Sequence, residues 1–87
     1  MPFRRLYGLT VEQYEAMVEA QGGLCAACGQ PETHRYRSGE VTRLAVDHDH
    51  ETDAIRGLLC QRCNSALGRF GDSAELIEAL AAYRRRY

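Results

Sequence analysis

No apolar run in this chain approaches the roughly 18 residues that a membrane helix requires. The N-terminus, Met1-Pro2-Phe3-Arg4-Arg5, lacks the apolar stretch of a secretion signal. Neither a membrane nor export is therefore expected, and the reading is a cytoplasmic protein of a bacterium or of a phage-infected host. Positive charge is not in excess either: 11 basic residues, every one an arginine, face 12 acidic ones, so the total does not by itself announce a nucleic-acid binder. Aromatic residues are only 8% of the chain and form no platform on which single strands would stack, which leaves base-specific recognition with little support. There is no internal repeat and no low-complexity linker, so residues 1–87 read as one domain. What such a chain lacks most is core. A domain this small buries only roughly 60% of its unfolded surface and needs a further source of stability.

Cysteine supplies it. Two Cys-x-x-Cys pairs, Cys25/Cys28 and Cys60/Cys63, frame residues 29–59. In a reducing compartment such pairs are metal ligands rather than disulfides, and neither opens the long helix of a thioredoxin-like unit. The spacing lets both sulfurs of each pair reach one tetrahedral ion, which predicts a single structural Zn²⁺ per chain. A four-thiolate site is closed to substrate and water, so its contribution is folding energy, about 10–16 kcal/mol in zinc-finger peptides.

The rest of the chain organises around these two knuckles, residues 25–28 and 60–63. Thr10 and Gln13 predict a capping box opening a helix with Val11, Tyr14 and Val18 on one face, ended by Gly22-Gly23. Residues Thr33 to Val46 read as a short exposed hairpin turning at Ser38-Gly39, with Leu44 and Val46 as its buried face. Ile55 to Cys60 is a second β-prone run that can pair with the strand ending near Asp47. A short helix is expected to begin near Asn64, and a C-terminal helix at about 73–86, capped by Asp72 or Ser73, carries Leu76, Ile77, Leu80 and Tyr83 as a stripe expected to pack on the core.

The insert between the pairs holds the candidate chemistry. Asp47-His48-Asp49-His50 sets four polar side chains in a row at the end of an apolar strand, which gives the fold no stability. In a regular strand Asp47 and His48 would point to opposite faces, so for both to serve one centre the strand must end or bulge there. Three readings stand: a solvated turn, a second zinc site from the two histidines and a carboxylate, or a hydrolytic centre. Phosphodiester cleavage needs a cation to neutralise charge and a base to activate water. Asp47 offers a hard oxygen suited to Mg²⁺, His48 a group titrating near neutrality, and Asn64 a neutral oxygen beside the last cysteine.

The order Cys-x-x-Cys, then Val46-Asp47-His48-Asp49-His50, then Arg56-Gly57-Leu58-Leu59-Cys60-x-x-Cys63-Asn64-x-Ala66-Leu67-Gly68 resembles the recombination endonuclease VII family, part of the HNH or His-Me finger nucleases. The resemblance covers about residues 9 to 70. It implies a small α+β zinc-stapled domain with a ββα-metal core at about 43–70, flanked by N- and C-terminal helices. Asp47 and Asn64 would hold catalytic Mg²⁺ or Mn²⁺, His48 would be the general base, and His50 would assist at the phosphate. The products would carry 5′-phosphate and 3′-hydroxyl ends. The member that names the family continues beyond this core into helices for dimerisation and for gripping branched DNA, whereas this sequence stops at Tyr87. The expectation is therefore a nicking enzyme, or a subunit that needs a protein partner or second copy to cut both strands.

DNA is the expected partner. Arg35, Arg37 and Arg43 on the hairpin are candidate backbone contacts, which predicts salt-sensitive binding. Arg56 is a candidate phosphate contact beside the site, or else an ion-pair partner of Asp49, Glu51 or Asp53. Arg84-Arg85-Arg86 suit a helix C-terminus or a DNA backbone, and His34 is expected to be exposed. The competing function is a catalytically silent zinc-stapled module that binds DNA or protein. It would have no use for the set Asp47, His48 and Asn64, and would be indifferent to added Mg²⁺.

Overall fold

A computed structural model describes residues 8–87; Arg4 and Arg5 lie outside them. Helix α1 spans Val11–Ala20 and begins as its first residues dictate. The Gln13 amide donates to Thr10 Oγ1 at 3.0 Å, and the Thr10 amide donates to Gln13 Oε1 at 2.8 Å, closing the capping box. Gly22 and Gly23, at φ 65° and 76°, then turn the chain into the first cysteine knuckle, a left-handed excursion that glycine makes without strain. The buried face of α1 is narrower than its sequence suggests, because Tyr14 is buried and Val18 half-buried while Val11 is 42% exposed. The Tyr14 hydroxyl donates to the Leu44 carbonyl at 2.6 Å, which ties α1 to the segment entering the sheet.

The segment before the sheet forms a small ribbon. Arg35 and Val41 bridge, Thr42 donates to the His34 carbonyl at 2.8 Å, and the turn runs through Ser38-Gly39 with Gly39 at φ 95°. Strands β1 (Ala45–His48) and β2 (Ile55–Leu59) follow, antiparallel, with Ala45, Val46 and Asp47 opposite Leu59, Leu58 and Gly57. Next in the register, His48 faces Ile55, so one residue of β2 is left over. That residue is Arg56. Of the two expectations at Asp47-His48, an end or a bulge, β1 meets the first by ending at His48, while the extra residue lies in the partner strand.

Helix α2 spans Gln61–Arg69, beginning three residues before Asn64. The reason is that Cys60 is itself the N-cap: its sulfur accepts from the Cys63 amide at 3.5 Å, so the second knuckle is the first turn of a helix. Glu32 reinforces this end by accepting from the Gln61 amide at 2.7 Å, a carboxylate at the positive pole of the helix. After Phe70, Gly71 and Asp72 adopt φ 62° and 63°, and α3 runs from Ala74 to Arg86 with Ser73 as its cap.

The core consists of Tyr14, Cys25, Leu44, Leu58, Leu59 and Cys60, with Met17, Val18, Cys28, Val46, Cys63 and Leu67 packed around it. Cysteines from both knuckles therefore serve as core residues. The stripe on α3 does not join them. Leu76, Leu80 and Tyr83 are more than half exposed. After the left-handed turn at Gly71-Asp72, only Ile77 of the stripe lines the groove formed with Leu59, Cys63, Ala66, Leu67 and Phe70.

A contact with no sequence signal holds the centre together. Gln21, at the end of α1, accepts from the Leu58 amide through Oε1 at 3.0 Å and donates through Nε2 to the carbonyls of Leu58 at 3.0 Å and Leu24 at 2.8 Å. Its amide stands in for a third strand beside β2, and Leu58 is fully buried there. Gln21→Ala leaves the buried Leu58 N–H unpaired; urea unfolding at fixed zinc should show a loss of about 1–3 kcal/mol.

Candidate functional site

The four cysteine sulfurs lie within 4.8 Å of one another, and among the described residues they are the only group of three or more such ligands gathered closely enough to hold a metal ion. Cys28 and Cys60, one from each knuckle, stand 3.9 Å apart at sulfur, close to the roughly 3.8 Å edge of a tetrahedron with 2.3 Å zinc–sulfur bonds. Backbone amides point at the sulfurs. Ala27 and Cys28 donate to Cys25 at 3.3 and 3.5 Å, as Cys63 does to Cys60. Arg62 adds a side-chain donor to Cys28 at 3.9 Å, a neighbour that the sequence did not single out.

Without a cation these thiols conflict. Burial opposes ionisation of Cys25, but amides of Cys28, Cys60 and Ala27 outweigh it and bring its pKa down to about 6. Burial pushes Cys63 up to about 12, and the neighbouring sulfurs of Cys60, Cys28 and Cys25 add to it. Four sulfurs this close cannot all become thiolates at neutral pH unless a cation sits among them.

The second centre lies where the bulge meets α2. Asp47, at the end of β1, has a side chain only 14% exposed, and its two oxygens are gripped by Arg56 through Nε at 2.8 Å and NH2 at 3.0 Å. The same guanidinium reaches across to Asp72, with NH1 at 3.1 Å and NH2 at 3.0 Å. These hydrogen bonds, first to Asp47 and then to Asp72, raise the Arg56 pKa further above its usual range. The expected partners Asp49, Glu51 and Asp53 are not the ones it bonds. Asp49 instead shapes the loop, accepting from the amides of Glu51 at 2.8 Å and Thr52 at 3.1 Å, which hold its carboxyl below the usual range.

Asp47, His50, Arg56, Asn64, Leu67, Gly68 and Asp72 line one recess of about 40 Å³. A wider polar cleft of about 430 Å³ adjoins it, bounded by Asp49, His50, Glu51, Gly68, Gly71 and Asp72. The His48 ring stands 4.9 Å from that of His50, tilted by 55°. The bulge, the loop and the second turn of α2 thus bring Asp47, His50 and Asn64 to one opening, with His48 beside it. The same geometry does not gather the two histidines and a carboxylate into a preformed second zinc site.

Asp72 is the residue that sequence reading missed here. It read as a possible helix cap, but Ser73 fills that role with an oxygen 3.1 Å from the Leu76 amide, and Asp72 turns to Arg56. No local pattern connects two residues joined only by the fold. Of the proposed DNA contacts, Arg35, Arg37 and Arg43 lie exposed on the ribbon, and Arg35 donates to the Gly39 carbonyl within it. His34 is exposed, as expected. Arg84, Arg85 and Arg86 lie in the last turn of α3, where Arg86 sits 5.6 Å above the Tyr83 ring. No helix among the described residues is long and apolar enough to cross a membrane.

Comparison with known proteins places this arrangement in a family. The Gene 59 protein of Mycobacterium phage D29 is 42% identical over 81 residues, covering 92% of this chain and 46% of the relative. The Gene 59 protein of Mycobacterium phage L5 is 40% identical over 78 residues, covering 88% of this chain and 44% of the relative. The chain thus spans less than half the length of these relatives. No solved structure matches it. The pattern described for recombination endonuclease VII matches residues 2–86, nearly the whole sequence, and the chain belongs to the recombination endonuclease VII family.

Proposed function

We propose that the chain is a DNA endonuclease of the HNH type, built on a ββα-metal core formed by β1, β2 and α2. The observation that carries this reading is the convergence of Asp47, Asn64 and His50 on one recess with His48 at its edge. The Arg56 ion pair gives Asp47 a structural use, but it does not account for His50 and Asn64 meeting at the same recess. Family membership supports the same reading.

The division of labour follows from the chemistry of each group. Cys25, Cys28, Cys60 and Cys63 hold a structural Zn²⁺, closed to substrate, that fixes α2 against the first knuckle. The oxygen donors of Asp47 and Asn64 suit Mg²⁺ or Mn²⁺, and with only two protein ligands most of the coordination shell is left to water and substrate phosphate. When bound, that ion neutralises charge on the phosphate and the leaving oxygen. His48 takes the proton from the attacking water, and His50 assists at the phosphate. Arg35, Arg37 and Arg43 meet the DNA backbone from the ribbon, so that binding weakens with salt. Residues 1–87 act as one such domain, and with one active site per chain the primary product is a nick.

The test uses zinc-loaded protein and supercoiled plasmid, with and without added Mg²⁺ or Mn²⁺. Nicked circles should form only with the added ion, and DNA ligase alone should reseal them, as 5′-phosphate and 3′-hydroxyl ends require. No nicking of supercoiled, linear, single-stranded or branched DNA would instead favour a silent binding module. Nicks refractory to ligase would reject the end chemistry.

A further inference from the structure

Arg56 stands out twice. It is the extra residue of the bulge, without a partner in the β ladder, and bulges commonly re-aim a side chain beside a site. Its guanidinium also bridges two carboxylates from different parts of the fold, taking both oxygens of Asp47 from β1 and both of Asp72 from the turn before α3. A surface ion pair of little consequence would not need that arrangement. A planar fork locked on each side holds both carboxylates in fixed orientation, and a lysine could not do the same.

The position of this bridge gives it meaning. Asp47 is the carboxylate that, on the reading above, holds the catalytic ion, yet its oxygens are already taken by a cation. Asp72 and Arg56 line the same recess as Asp47 and Asn64. We propose that Arg56 is a positioning residue that acts as a resident counter-cation for Asp47. It orients and neutralises that carboxylate before the divalent ion arrives, and yields an oxygen to the ion while Asp72 retains the guanidinium beside the site. Asp72 therefore acts on the ion through Arg56, not as a ligand. The exchange is a competition between two cations for one carboxylate, and its balance depends on how firmly Asp72 holds the arginine. This inference rests on the assignment of Asp47 as an ion ligand.

Mn²⁺ binding to zinc-loaded protein without DNA, followed by electron paramagnetic resonance, tests it. Arg56→Gln removes the competitor and should tighten Mn²⁺ binding roughly tenfold, while a drop in nicking rate despite tighter binding would mark the loss of orientation. Asp72→Asn frees Arg56 to clamp Asp47 alone and should weaken Mn²⁺ binding severalfold. The two effects must be coupled: in the Arg56→Gln background, Asp72→Asn should change nothing further. If Arg56→Gln does not fold, Arg56→Met replaces it in the cycle, because it keeps much of the apolar stem and carries no charge to compete for Asp47. An Asp72→Asn effect of equal size in both backgrounds would overturn the proposal, making Asp72 an independent charge or ligand. So would Mn²⁺ binding that neither Arg56 nor Asp72 variants alter while Asp47→Asn abolishes it. Binding untouched by Asp47→Asn would instead remove the ion-ligand reading on which the proposal stands.

Discussion

Removing the zinc should unfold this protein rather than merely weaken it. Among the described residues the core has six buried hydrophobic residues, two of them cysteines of the knuckles, and the other two cysteines, partly buried, pack against them. The cysteine cluster proposed to hold the zinc and the core are thus the same structure. Taking away the ion leaves sulfurs within 4.8 Å of one another with no cation among them, and removes a contribution that reaches about 10–16 kcal/mol in comparable peptides, on the scale of a domain's entire stability. Cys60→Ser should be the most damaging single change, since Cys60 is at once a ligand, a buried core residue and the N-cap of α2. The expected result, by circular dichroism with zinc stoichiometry measured in parallel, is loss of the cooperative thermal transition in the variant and in chelated wild type, restored in the latter by added Zn²⁺. Acid should act in the same direction, because protons compete with the metal for each thiolate.

His48→Ala should have the largest effect on activity with the smallest effect on structure. His48 lies at the end of β1, half-buried and outside the core cluster. Loss of a general base typically costs about 10²–10⁴-fold in rate. The expected outcome is a nicking rate lower by that factor at unchanged zinc content and unchanged unfolding midpoint. His50→Ala should cost less if its part is assistance at the phosphate, and the ratio of the two defects in single-turnover rates would separate base from assistant.

What the sequence made legible follows from whether the relevant interaction is local. The capping box at Thr10, the knuckles, the glycine exit from α1 and the four-cysteine cluster each depend on residues a few positions apart or on ligand spacing, and each is found where it was expected. An end or a bulge at Asp47-His48 was also readable, because two adjacent residues of a regular strand point to opposite faces, and β1 ends at His48. The extra residue at Arg56 was not, since it arises in β2 and depends on the pairing of the two strands. Helix α2 begins earlier than its polar residues suggested because a cysteine sulfur, which propensity scales do not treat as a cap, accepts the Cys63 amide.

The remaining differences are matters of tertiary geometry. An amphipathic stripe at Leu76, Ile77, Leu80 and Tyr83 says that a helix has an apolar face, but not that this chain folds something onto it, and all four side chains stay exposed. The bridge from Asp47 through Arg56 to Asp72 and the clamp of Gln21 on Leu58 join residues distant in sequence, with no periodicity to reveal them. Composition identified the chemistry available; the fold decided where each carboxylate went, placing Asp49 in the loop and Asp47, paired with Arg56, in the recess.

The measurement that bears most directly on the central claim compares wild type and His48→Ala, each verified to hold one zinc per chain, on supercoiled plasmid with Mg²⁺ or Mn²⁺. The account predicts ion-dependent nicking by the wild type and its near-complete loss in the variant. Equal nicking by both proteins would contradict the assignment of His48 as the base. Absence of nicking by the wild type across supercoiled, single-stranded and branched DNA would contradict the endonuclease reading of this chain itself.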